Sequence, residues 1–390
     1  MSYYNEMETQ RRLSKVKEIL EKENLDAVLV YYDELNIANG WYLTGWCPQF
    51  EKGAVLVPRN GEPLILGGPE SEPFAILNSA IKNTRNFPVF MVPDEEYPNA
   101  VIIDFPKLFA ELQKSIDIKR VGIVGTEAMP YQVYTQLEAG FKGVELVDIT
   151  DKYVRLRYVK SSWEIENIKK GFELSLEAYK AMKEKVACGT YEYEVAAAGE
   201  YVCRKRGANS FGFSAIVGSG ARSNAVVPTA LNKEMLDGEL VMIGLAPRIN
   251  GYCGVMGDTL PVNGVYTESQ KTCVNHLREA YRLTKSMLKP GMTGKEIDVP
   301  GREYFVKNNL IQYLVCPFAH TIGLMEAEAP FFGPNGDEPL VAGMTVCVDV
   351  SFFGHPEWNG ARIETGFLIT DEGCVPLCPE MDEILSKDIE

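Results

Sequence analysis

The pattern of the chain changes over residues 154–165, and that change confines it to two successive units of different class. Upstream, segments of helical periodicity alternate with short apolar runs. Residues 9–23 repeat at helical spacing, 26–31 (D-A-V-L-V-Y) suit a buried strand, and 53–58 and 63–66 flank the turn Arg59-Asn60-Gly61 as a hairpin. An amphipathic helix is expected over 105–114, ahead of a strand at 120–124. Such alternation predicts a three-layer α/β unit. Gly122 and Gly125 complete no G-x-G-x-x-G turn, so it carries no dinucleotide fingerprint. Downstream, the spacing predicts long helices over 163–186 and 191–206. Ser162 is the expected cap of the first, with Glu164 and Glu166 in its opening turn. Strand-like runs at 214–217, 240–243 and 259–262, a helix pair at 268–288 and 294–307, and strands at 344–352 and 366–370 follow. Long helices over a largely antiparallel sheet make an α+β domain. The expected domains are 1–155 and 156–390.

The 390 residues carry a formal net charge of -15, which argues against nucleic acid or an anionic membrane as the main partner. No apolar run reaches the length of a membrane span, and the polar, charged start of the chain lacks a signal-peptide pattern. The nine cysteines are dispersed, as expected of reduced thiols in the cytoplasm. Cys374 and Cys378 lack a second Cys/His pair, so no zinc site is expected there.

Several stretches of the second half resemble the pita-bread hydrolases, the family of creatinase, prolidase and aminopeptidase P. They are K-S-S-W-E-I at 160–165, F-S-A-I-V-G-S-G at 213–220, G-E-L-V-M-I-G-L-A at 238–246 followed by Gly251-Tyr252, and K-P-G-M-T-G at 289–294. H-T-I-G-L at 320–324, Gly343-Met344 and G-A-R-I-E at 360–364 complete the ordered set, and Asn36-Ile37 with Y-L-T-G at 42–45 fits the family's amino-terminal domain. The resemblance implies a pita-bread C-terminal domain behind a smaller creatinase-type α/β domain. It also implies a small-molecule substrate and a homodimer.

In metal-dependent members of that family two Asp, one His and two Glu hold a pair of divalent ions. The resemblance puts the two Asp positions at Gly244 and Val255, keeps the His as His320 and the last Glu as Glu364, and shortens the other Glu to Asp349. Neither Gly244 nor Val255 offers a side-chain ligand to a hard cation, so no metal cofactor is expected. A strand shift could recruit Asp258, but an odd shift turns it to the other face. Creatinase itself works without metal, yet its catalytic His falls at Val227 here, a substrate-binding Glu falls near Gly257, and a further family His falls at Ala327.

What remains is His320 with Glu328, Asp349 and Glu364 as candidate catalytic residues, and Glu326 nearby. Arg222, Tyr252, Arg362 and His355 are candidates for binding substrate. A His flanked by carboxylates suits general acid–base work, and carboxylates without a metal favour a cationic ligand or retain a proton. The alternative for Arg222 is support of a loop. Cys253 reads as a buried small hydrophobe, His276 as a surface residue, and 41–50 as core or as a lid from a neighbouring subunit. The expected function is metal-independent hydrolysis of a C–N bond in a small polar molecule. The alternatives are a silent binding protein, with its pocket filled by Val227, Val255 and Ala327, or a metal-dependent Xaa-Pro peptidase.

Overall fold

The computed structural model describes residues 4–390 and divides into two compact units, 1–157 and 158–390. The first is built on a six-stranded mixed sheet in the order Thr84–Asn86, Leu64–Gly67, Gly53–Pro58, Ala27–Tyr32, Arg120–Val124, Glu145–Asp148. Ala27–Tyr32 pairs antiparallel with Gly53–Pro58 and parallel with Arg120–Val124. All six of its residues are buried, which explains why its sequence is a continuous apolar run rather than an alternating one. Four further helices, Ala38–Thr44, Glu72–Asn78, Tyr131–Gly140 and Thr150–Val154, have no counterpart in the sequence reading. The first is buried throughout, so its residues show no amphipathic period. Trp41, Tyr42 and Trp46 are buried as core residues are, and Phe50 alone of these aromatics is exposed.

The second unit opens with the helix Ser162–Lys185. Its cap is Ser161 rather than Ser162, because only Ser161 has a Glu three residues on: Glu164 N donates to Ser161 Oγ, and Glu164 Oε2 accepts from Ser161 N. The helices Glu192–Lys205, Glu268–Ser286 and Gly294–Lys307 follow. They accompany an antiparallel sheet whose order is Glu328–Phe331, Ala319–Thr321, Thr345–His355, Asn359–Thr370, Met256–Pro261, Leu240–Leu245, Ile216–Ser219. Gly373–Pro376 adds to Asn359–Thr370. The two longest strands, Thr345–His355 and Asn359–Thr370, form a hairpin that runs further than its apolar patterning predicts. Their central polar residues are buried together and break that pattern. Proline-containing Met256–Pro261 begins three residues before the expected strand.

Candidate active site

The pairing of this sheet lays a row of residues across its middle. Gly244 lies opposite Gly257, Gly257 opposite Glu364, and Glu364 opposite Asp349. Directly opposed residues share a face, as do residues two apart on a strand. Arg362 and Glu364 therefore rise on the same side as Asp349. His320 is registered against Cys347 on the neighbouring strand. The two glycines leave part of that face bare. A Cβ at Gly257 would meet Glu364 Cβ at 3.2 Å and the Arg362 stem at 3.5 Å, so the stem of Arg362 occupies the room the glycine leaves.

His320 is nearly enclosed. Its Nδ1 lies 3.1 Å from the carbonyl oxygen of Thr321, and its Nε2 lies 3.2 Å from Glu364 Oε1 and 3.5 Å from Glu326 Oε1. All three partners accept hydrogen bonds and none of the carboxylates can donate when ionised, so the surroundings favour a ring protonated at both nitrogens. Burial alone would depress the imidazole; the charges of Glu326, Glu364 and Asp349 overcome it and raise its pKa to about 10. Glu364 is pushed up to about 8, first by burial and then by Asp349 and Glu326, against the pull of His320. The cluster thus tends to keep a proton on a carboxyl near neutrality. Arg362 Nε stands 3.0 Å from Asp349 Oδ1 as an ion pair, although the N–H is not aligned for a hydrogen bond. Its Nη1 donates to the Val226 carbonyl at 3.0 Å.

The other expected site residues are engaged elsewhere. Glu328 forms a buried ion pair with Lys160 at 3.1 Å, both side chains 2% exposed. Arg222 donates from Nε to Glu192 at 2.9 Å and from Nη2 to the Thr229 carbonyl at 2.7 Å, the loop-supporting arrangement. The Tyr252 hydroxyl donates to Glu164 at 2.7 Å and braces the start of the long helix. His355 stacks on Trp358 with ring centres 4.1 Å apart, and its Nδ1 accepts from the backbone of Glu357 and Trp358. His276 is half-buried rather than a surface residue, with Nδ1 2.9 Å from the Tyr304 hydroxyl. Cys253 is buried and its thiol is pushed up to about 11 by burial, as an unreactive packing residue is. Val227 and Ala327 are exposed and only Val255 is buried, so the three do not fill a common pocket. Asp258 faces the opposite side of the sheet, where its Oδ2 accepts from the Tyr179 hydroxyl at 2.8 Å.

One contributor was not anticipated. His320, Cys347 and Glu364 bring a nitrogen, a sulfur and a carboxylate oxygen within 4.8 Å of one another. Cys347 lies two residues before Asp349 on one strand, and period two was the signal that could have found it. A pair of hard divalent cations needs several oxygen ligands, bridging and terminal. Gly244 and Val255 bring none, and Asp349 faces a guanidinium. These residues do not fit a two-ion centre. The mixed N, S, O group suits a single borderline-soft ion such as zinc.

Comparison with known proteins agrees with the architecture. Residues 12–159 match the creatinase/prolidase N-terminal domain and residues 166–371 match metallopeptidase family M24. An Xaa-Pro dipeptidase of Pyrococcus horikoshii is 28% identical over 375 residues, 96% of this chain and 98% of that protein. An uncharacterized peptidase of Bacillus subtilis, YqhT, is 30% identical over 264 residues, 68% of this chain and 74% of that protein. The crystal structure of the prolidase from Pyrococcus horikoshii superposes with a TM-score of 0.80 at 26% identity, covering 94% of this chain and 97% of that one. Sequence match over more than half its length and a shared two-domain fold place the chain in metallopeptidase family M24, with a creatinase-type N-terminal domain ahead of the pita-bread domain.

Proposed function

We propose that the protein hydrolyses a C–N bond in a small polar molecule, with His320 as its proton-transfer group and without a pair of metal ions. The observation that carries this reading is the setting of His320, its Nε2 facing Glu364 at 3.2 Å and Glu326 at 3.5 Å. An imidazolium in that position is a general acid. In the proposed reaction the reactive form is the one with Glu364 ionised, whose share grows as pH rises towards about 8; its carboxylate accepts a proton from the attacking water, whose oxygen bonds to the substrate carbon. The imidazolium gives its Nε2 proton to the leaving nitrogen as the C–N bond breaks. The proton on Glu364 then returns to His320 across their contact. Arg362 supplies positive charge for an oxygen that turns anionic. Relatives named Xaa-Pro dipeptidase make a peptide bond the first substrate to try.

A single ion is the second reading, and the convergence of His320, Cys347 and Glu364 favours it. Such an ion would act as a Lewis acid at the same place. The test is turnover of Xaa-Pro dipeptides, N-acyl amino acids and guanidino compounds, before and after chelation. The proposal expects a turned-over substrate, no effect of chelator, and a loss of about 10²-fold or more in His320→Gln. Chelator-sensitive turnover restored by one equivalent of zinc would favour the second reading; restoration only by two equivalents would overturn the proposal.

A further inference from the structure

On the opposite side of the sheet from His320 lies a second buried polar group that the proposed reaction does not use. Asp258 is 1% exposed. Its Oδ2 accepts from the Tyr179 hydroxyl and its Oδ1 from the Thr259 backbone N–H, both at 2.8 Å. Among the described residues it has no ion-pair partner. Arg278 is 4% exposed. Its Nη1 donates to the Lys387 carbonyl, and its Nε has no hydrogen-bond partner. Both side chains line one cavity of about 200 Å³, with Lys183 beside them and Leu260 and Ile389 among its apolar lining.

A buried carboxylate and a buried guanidinium that share a cavity without a salt bridge each bear a desolvation cost that their few hydrogen bonds and their mutual attraction offset only in part. Burial accordingly pushes the Asp258 carboxyl above its ordinary range. The carboxylate has lone pairs left after its two hydrogen bonds, and the guanidinium has N–H groups left after its one. A water takes about 30 Å³ of liquid volume, so the space is that of about seven waters, enough for one small organic molecule. The apolar lining favours a ligand with a hydrocarbon side chain.

We propose that this cavity binds a free α-amino acid with a small apolar side chain, its ammonium group on Asp258 and its carboxylate on Arg278 and Lys183. The site is one residue away from the catalytic face. Thr259, whose N–H is bound by Asp258, exchanges hydrogen bonds with the backbone of Arg362 through its hydroxyl, at 2.9 Å in each direction.

The test is calorimetric titration of the whole protein with alanine, valine, leucine and proline, each beside its N-acetyl and its amide derivative. Saturable binding of at least one free amino acid is expected, in His320→Gln as in the wild type. Blocking either charged end should weaken it by about tenfold or more. Asp258→Asn and Arg278→Gln should weaken it similarly; should either fail to fold, Lys183→Ala at the cavity lining takes its place. Absence of saturable binding into the millimolar range would overturn the proposal. So would binding as tight by the blocked derivatives, or binding that His320→Gln abolishes and the cavity variants leave intact, since the ligand would then sit in the catalytic site.

Discussion

Nε2 of His320 and Oε1 of Glu364 meet at 3.2 Å although their strands are not neighbours: Thr345–His355 runs between them. The contact closes over Cys347 and ties together two chain segments 44 residues apart. In the proposed reaction it joins the two groups that exchange the proton, and the folded state is expected to be sensitive to alkali through it.

The sign of that sensitivity follows from the shifts. His320 rises from 6.5 to about 10, so the fold holds its proton more tightly than the unfolded chain does. Its stabilisation is complete below about pH 6.5 and is lost as pH climbs through about 10. Glu364 rises from 4.5 to about 8, so its burial increasingly disfavours the fold as pH climbs through that interval. Both losses fall on the alkaline side. Urea unfolding from pH 6 to pH 10 should show stability declining by the order of 2 kcal/mol or more. His320→Gln should flatten the upper part of that decline; equal slopes in the two proteins would show that His320 carries no shifted proton.

The Lys160–Glu328 pair has both side chains 2% exposed, so removing one partner takes a compensating charge away from a buried group. Lys160→Met or Glu328→Leu alone should cost about 3–5 kcal/mol, and the double substitution much less than their sum. A double-mutant cycle in urea reads this directly. Additive costs would mean that the two groups do not compensate each other in the folded protein.

Arg222 supports the loop through Glu192, whose side chain is fully buried. Arg222→Ala should therefore destabilise by about 1–3 kcal/mol, the cost of leaving a buried acceptor short of a partner. Turnover should stay within a factor of about two of wild type under conditions where both are folded. A loss of turnover comparable with that in His320→Gln would return Arg222 to the substrate.

The two units, the class of each and the long helices were legible because periodicity and capping are local signals. The all-buried helix Ala38–Thr44 was not, since burial on every side erases the period. In the site, His320, Asp349, Glu364 and Arg362 were found by motif order, and the sheet does bring them together. The pairing of Glu328 with Lys160 was not legible, because the two are 168 residues apart in sequence. Cys347 was missed because a lone cysteine in an apolar strand looks like packing. Asp258 was weighed as a recruited ligand, and strand alternation sends it to the far face, as an odd offset requires.

The most direct check of the account is the metal stoichiometry of the purified protein. It should be incubated with excess manganese, cobalt or zinc, separated from free ion, and analysed by mass spectrometry, with anomalous scattering from crystals to locate any ion. Gly244 and Val255 supply no ligand and Arg362 stands against Asp349, so the account predicts no two-ion centre in the protein. Two stoichiometric ions bound at His320, Asp349 and Glu364 would contradict it.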